Sequence, residues 1–523
     1  MKCSAAYIEE KIKNTPNGGV CRLPRGEYYI ERRLDIPNRK NLVIDGNGSV
    51  IISHYNNGDS NIPTCDGFHI CGCENIRLCN FTLETDTPVN LTGTVESIHP
   101  DEGAYVLSVL PEFRVTGKET FMMQNSCDSD GSFDYRLAYG HRETDETKAP
   151  RLAGEILLSS AYTGCNYDYL GGGRFKVFLP PHLLGGLYIG QKICVRHSAY
   201  GPISILIKNS NDTYLENINI TSAPGMGIVV LPRCRNLYLN NFNIALLRGS
   251  DRLMSGNCDG IHITGLSGIL KIADSTFCSL GDDALNIHST AATVIATDEE
   301  KSVIKCGYRK KGRNDSLSAE WCAAGDIINV LDGKTCKKTG EFKVKYFNND
   351  EICFEKPNGS IMAGGILQNT SFSAAVEMKN CRIRNTRARG CLLQTENIEI
   401  SDCEFYGISL PAILAAPDIR RWYEVGPIKN MRINNNMFEK CGFINDGFSV
   451  ISVQDNHDSR EAGARGVHEN IEVTNNVFER KSGKCIFMTS VNGVKIKGNR
   501  FIGCNFNGEF IECPMCENTD IDN

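Results

Sequence analysis

A short unit of alternating apolar residues recurs along this chain, broken by Asn, Asp or Gly and closed by a second apolar pair. It reads IRLCNFTL ending at Leu83, TYLENINI at Ile220, LYLNNFNI at Ile244 and LKIADSTF at Phe277. It returns as VEMKNCRI at Ile383, IEISDCEF at Phe405, MRINNNMF at Phe438, IEVTNNVF at Phe478 and VKIKGNRF at Phe501. A period of two marks strands, and the Asn, Asp or Gly marks a sharp bend between them. Successive endings lie 24 residues apart from Ile220 to Ile244, 22 from Ile383 to Phe405 and 23 from Phe478 to Phe501. Steps of 33, 33 and 40 residues elsewhere fit one coil plus a loop. A coil of this length, with short strands and no helix between them, is what a parallel β-helix requires. Stacked coils lie about 4.8 Å apart, so equivalent positions form ladders, and the Asn residues at the bends are structural.

Two gaps interrupt the rhythm, 137 residues between Leu83 and Ile220 and 106 between Phe277 and Ile383. Both read as alternating strands and turns, including GGGRFKVFL in the first and AGDIINVLDGKTCKKTGEFKV in the second. The expected fold is therefore all-β, a right-handed parallel β-helix with two inserted small antiparallel β-barrel domains. A helical pattern from Ala5 to Lys13 and the first coils occupy residues 1–85, and the first insertion residues 86–200. Coils follow at 201–290, the second insertion at 291–370 and the last coils at 371–523. The insertions would wall or lid a cleft on the solenoid.

A net charge of −6 excludes the basic face that a nucleic-acid partner needs, and a neutral substrate fits best. No stretch approaches the 18 apolar residues of a membrane span, and the first residues lack the apolar core of a signal peptide. The 24 cysteines are scattered rather than framing a small domain, which suits a reducing compartment, so a cytoplasmic location is expected. Cys381 and Cys403 fall where the repeat takes a small hydrophobe. Cys71 with Cys73, and Cys513 with Cys516, would be half a thiolate metal site each, without a convincing second pair. The sequence calls for no metal and no cofactor, and leaves homo-oligomer formation open.

The densest polar constellation is CDGIHITG, Cys258 to Gly265, followed by LGDDALNIHST, Leu280 to Thr290. Asp259 and Asp283 are 24 residues apart, one coil, so they should stack on one face, with Asp282 beside them. Like charges this close push at least one carboxyl pKa upward. Glycoside hydrolysis with inversion needs a protonated carboxyl at the leaving oxygen and a carboxylate that activates water. An Asp-Asp pair at a bend can instead cap the turn, and three carboxylates can bind calcium. His262, Asn286 and His288 nearby suit sugar hydroxyls better than calcium. Arg387 and Arg389, two apart, share one outward face if their segment is a strand. Trp422, one of two tryptophans, precedes Tyr423 and Glu424, and its indole could stack on a sugar or lie buried under a loop.

The set DRLMSGNCDGIH, GDDALNIH, NTRARG and WYE-G resembles glycoside hydrolase family 110 over most of the chain. That resemblance implies an exo-acting α-galactosidase that releases terminal α-1,3-linked galactose from oligosaccharides or glycans with inversion. It makes Asp259, Asp282 and Asp283 the catalytic carboxylates. It places Arg252, His262, Asn286, His288, Arg387, Arg389, Trp422 and Glu424 in the galactose pocket. By analogy with the polygalacturonases of family 28, Asp282 is the acid, and Asp259 or Asp283 activates water. A polygalacturonase-like enzyme is the nearest alternative reading, but no GHG follows His288 and the chain has no RIK. A non-catalytic carbohydrate-binding β-helix is the other.

Overall fold

The computed structural model describes residues 5–54, 65–86, 90–113, 115–119, 121, 123–128, 151–157, 167–197, 201–247, 249–298, 300–310, 313–315, 320–348, 350–419, 422–444, 447–455, 464–479, 483–504 and 509–522. The recurring units form parallel strands in register. Thr213 lies beside Leu237 one coil on, and Leu237 beside Leu270. Towards the C-terminus Ile398, Met431, Ile471 and Val494 make the same kind of ladder. A second parallel sheet runs from Leu34–Pro37 through Cys65–Cys71, Ile203–Lys208, Ile228–Val230, Ile261–Ile263, Leu285–Ile287 and Cys391–Leu393 to Ile511–Glu512.

This second sheet runs straight across both long interruptions. Cys65–Cys71 pairs directly with Ile203–Lys208, and Leu285–Ile287 with Cys391–Leu393. The intervening residues therefore leave and rejoin the solenoid without breaking it. Asn90–His99 to Lys192–Arg196 belong to a seven-stranded antiparallel sheet packed on Tyr105, Phe175 and Ile193. Residues 129–150 and 158–166 of the expected first insertion lie outside the described residues. In the second interruption Ser289–Asp298, Val303–Lys310, Glu351–Phe354, Lys338–Asn348, Ile327–Leu331 and Ile366–Asn369 pair in that order. The last of them pairs back on the first, so the ring is closed.

Inward side chains of successive coils merge into one core that reaches from Ala5 to Ile496. Phe405, Phe438 and Phe478 stack inside it and the partly buried Phe501 and Phe510 continue the stack, with ring centroids 4.9, 5.0, 5.3 and 5.0 Å apart, matching the rise between coils. The helix Ala5–Asn14 buries Ala5, Ile8 and Ile12, one helical face, against the open end of this core. At the bends Asn80, Asn217 and Asn241 adopt φ of 61°, 52° and 47°. Asn tolerates this left-handed region better than other side-chain-bearing residues. Its amide also bonds from coil to coil, Asn217 Nδ2 donating to Asn80 Oδ1 at 3.1 Å and Asn241 Nδ2 to Asn217 Oδ1 at 3.0 Å.

The cysteines are part of the same packing. Cys381 and Cys403 are buried, and the Cys381 amide donates to Cys403 Sγ at 3.4 Å. One coil on, the Cys403 amide donates to Asn436 Oδ1 at 2.9 Å, so thiol and amide oxygen occupy one ladder. Cys73 is buried and its thiol donates to the Ile36 carbonyl at 3.0 Å, while Cys513 and Cys516 pack on the last coil.

Candidate active site

Ile261–Ile263 and Leu285–Ile287 are adjacent strands, with Ile261 beside Leu285 and His262 beside Asn286. The alternation that turns the isoleucines inward turns His262 and Asn286 outward. Two residues before each paired position stand Asp259 and Asp283. The Asp283 amide donates to Asp259 Oδ1 at 3.1 Å, and one coil further the Arg389 amide donates to Asp283 Oδ1 at 2.9 Å. Each carboxylate thus accepts the amide of the equivalent residue on the next coil. Gly281 permits this close stacking, because a Cβ there would lie 2.3 Å from the Asn257 carbonyl oxygen.

One oxygen from each of Asp259, Asp282 and Asp283 lies within 4.8 Å of the other two. The one-coil spacing therefore brings together the three carboxylates that the sequence singled out. Their side chains differ in access: Asp259 and Asp283 are 7% and 1% exposed, whereas Asp282 is 33% exposed. Burial pushes the Asp259 carboxyl upward, opposed by its bond to His262 and assisted by the charge of Asp282. Burial likewise raises Asp283, against the attraction of Arg389 and with the repulsion of Asp282. Like-charge repulsion, the cause expected from sequence, contributes, but desolvation is the larger cause. Direct stacking of successive coils thus holds the nearest oxygens closer together than the about 6.5–9.5 Å that usually separates the acid and base carboxyls of inverting glycosidases.

Both arginines reach the cluster. Arg389 Nε donates to Asp283 Oδ1 at 2.8 Å, and Arg387 Nη2 lies 3.2 Å from Asp282 Oδ1. The strand that was to place them on one face begins only at Cys391. Arg387 and Arg389 instead extend from the bend before it, and the Arg387 amide donates to the Leu280 carbonyl at 3.0 Å.

A second group continues from Asp259. His262 Nδ1 lies 2.6 Å from Asp259 Oδ2, His262 Nε2 lies 3.3 Å from His288 Nε2, and His288 Nε2 lies 3.6 Å from Glu424 Oε1. Asn286 Nδ2 approaches Glu424 Oε1 at 3.5 Å. Glu424 arrives because Glu424–Val425 pairs antiparallel with Ser289–Thr290, the residues just after His288. Burial raises the Glu424 carboxyl, and the neighbouring Asp259 carboxylate raises His262 although burial opposes it. Burial drives His288 down to about 3.

Trp422 is 49% exposed, so its burial under a loop is ruled out, and it precedes the buried Tyr423 and the half-buried Glu424. The other tryptophan, Trp321, is buried and its indole N–H donates to the Thr290 carbonyl at 2.7 Å. Arg252 lies 3.3 Å from Glu84 Oε1 and 3.6 Å from Glu112 Oε1, with its guanidinium 5.5 Å from the Phe113 ring centroid. These contacts make it a fastening of the first antiparallel sheet to the loop before Asp259. Arg196, which sequence reasoning missed, does the same work: its Nη1 donates to the Asn257 carbonyl at 3.1 Å. Only the junction could reveal it, since 61 residues separate the two partners.

Residues 364–519 match the model of the right handed beta helix region, and residues 191–303, which contain the aspartate stack, match that of glycosyl hydrolases family 28. An alpha-1,3-galactosidase B of Bacteroides thetaiotaomicron is 28% identical over 91% of this chain and 77% of its own length. The alpha-1,3-galactosidase A of the same organism is 27% identical over 98% of this chain and 90% of its own. An alpha-1,3-galactosidase B of Akkermansia muciniphila is 26% identical over 94% of this chain, which spans 63% of that relative, less than two thirds. The chain is thus a right-handed parallel β-helix protein and, over more than nine-tenths of its length, a homologue of proteins named alpha-1,3-galactosidases.

Proposed function

We propose that the protein is an exo-acting glycoside hydrolase that releases terminal α-1,3-linked galactose from oligosaccharides or glycans with inversion. The observation that carries this reading is the stack of Asp259 on Asp283 with the more accessible Asp282 beside them. Asp282 delivers its proton to the glycosidic oxygen as the bond to the galactose C1 breaks. Asp259 or Asp283 takes a proton from the water that attacks C1 from the opposite face. His262, Asn286, His288 and Glu424 meet the sugar hydroxyls, and the exposed indole of Trp422 offers a face for stacking. Its relatives' names support the choice of galactoside.

The family 28 match favours a polygalacturonase-like enzyme as the second reading. The arginines weigh against it, because a uronate would have to compete with Asp282 and Asp283 for Arg387 and Arg389. The setting we propose is reducing and cytoplasmic, which suits a chain with 24 cysteines.

The test pairs kinetics with stereochemistry. Asp259→Asn, Asp282→Asn and Asp283→Asn, each checked for folding by circular dichroism, should lose roughly 100- to 10,000-fold in kcat on an α-1,3-galactoside. By NMR the β-anomer of galactose should form first. An α-anomer formed first would overturn inversion, and near-normal activity of Asp282→Asn would remove it as the acid. Cleavage of galacturonides in place of galactosides would select the second reading.

A further inference from the structure

We propose that His262, His288 and Glu424 form a binding site for one divalent transition-metal cation of zinc-like chemistry. The side chains come from three separate segments, yet one ligand atom of each lies within 4.8 Å of the other two. The His262 Nε2 to His288 Nε2 distance is 3.3 Å and the His288 Nε2 to Glu424 Oε1 distance is 3.6 Å. Two ligands bound at 2.0–2.2 Å with tetrahedral angles stand about 3.4 Å apart, so the spacing is that of a coordination shell. Two imidazoles and one carboxylate are a donor set that zinc-like cations take, leaving a position open.

Proton accounting points the same way. His262 Nδ1 faces the Asp259 carboxylate at 2.6 Å, so an Nδ1–H donates there. The Nε2 atoms of His262 and His288 and the Glu424 carboxylate then converge on one point, where a proton on one Nε2 or a metal cation sits between them. The buried Oδ1 of Asn286, stacked beside His262, has no hydrogen-bond partner among the described residues. A metal cation between the two Nε2 atoms and Glu424 takes the place of that shared proton. The Asp259–His262 contact is then the outer carboxylate that orients a metal-bound imidazole.

The proposal does not depend on the substrate reading, since binding is measured without sugar. Because the same side chains line the proposed galactose pocket, cation and sugar should exclude each other.

Purified full-length protein without a polyhistidine tag is stripped with EDTA, dialysed and titrated with Co²⁺. Visible d–d absorption saturating at one equivalent, and its loss when Zn²⁺ is added, are expected. His288→Gln and Glu424→Gln should each weaken binding by about a hundredfold or more, and Asp259→Asn by about 10- to 100-fold through its hold on His262. Each variant's fold is checked by circular dichroism and thermal melting. For a variant that fails to fold, the wild type's thermal shift and zinc content by elemental analysis decide. No Co²⁺ band and no retained zinc in the wild type, or undiminished binding in the folded variants, overturns the site. Metal binding without galactoside hydrolysis would overturn the proposed function alone, and hydrolysis without metal binding would overturn this site alone.

Discussion

Arg387 and Arg389 each hold an aspartate of the stack, but their removal should register in different measurements. Asp283 is 1% exposed, so Arg389→Ala strands a buried carboxylate. Breaking a buried pair in this way costs about 3–5 kcal/mol, to be read as a lower urea midpoint. Asp282 is 33% exposed and water can replace its partner, so Arg387→Ala should cost less than about 1 kcal/mol while slowing hydrolysis. Equal stability losses in the two variants would contradict this division. The pairing of Asp259 with Asp283 was legible because one coil separates them. The sequence also singled out the two arginines, but not the bend from which they reach Asp282 and Asp283. The ion partners of Arg252 were not legible, because a charged side chain's partner is set by what folds beside it, here Glu84 and Glu112.

Among the elements, the buried Asn ladder of the last coils is the clearest source of register. Asn476 Oδ1 accepts from the Asn436 amide at 2.9 Å, and Asn476 Nδ2 donates to the Ile433 carbonyl and to Asn499 Oδ1, both at 3.0 Å. Asn476→Ala would take the acceptor from the buried Asn436 amide and a donor from the Ile433 carbonyl, while Asn499 Oδ1 keeps the backbone amide of residue 476, at about 1–3 kcal/mol for each group stranded. A urea midpoint close to the wild type would show that water or local movement satisfies them instead. The sequence shows this ladder openly, as NNNMF, TNNVF and KGNRF in successive units. It does not show which Asn of a pair turns inward. Asn435 and Asn475 take positive φ at the surface, while Asn436 and Asn476 are buried.

For the whole molecule, pH should act through His468, which joins two coils. Its Nδ1 accepts the Ile428 amide at 3.0 Å, and its Nε2 lies 2.9 Å from the Gln454 carbonyl. Burial drives its pKa down to about 4, so the folded protein keeps it neutral. Above the unfolded value of about 6.5 neither state takes the proton and His468 has no pH effect. Below it the unfolded chain gains a proton that the folded chain refuses, so stability falls from pH 6.5 towards 4, by at most about 3 kcal/mol. Urea midpoints across that range should show the decline, and His468→Gln should flatten it. An unchanged slope in the variant would assign the acid sensitivity elsewhere. The solenoid itself is local information repeated: alternation, a bend residue and a coil length fix which residues face inward and which stack, and these are written along the chain. The aspartate stack inherits its position from that same period. The set of residues gathered around that stack is not periodic. Glu424 reaches His288 through a strand pair spanning 135 residues, from Thr290 to Glu424. The second insertion is anchored beside it by Arg233, whose Nη1 and Nη2 bond Asp326 at 3.0 and 2.7 Å. Contacts of that range depend on how the insertions dock against the coils, and side-chain complementarity at those junctions leaves no spacing in the sequence. The chain's own period therefore determined the β-helix and its aspartate ladder, and only the docked tertiary structure decided which residues close round it.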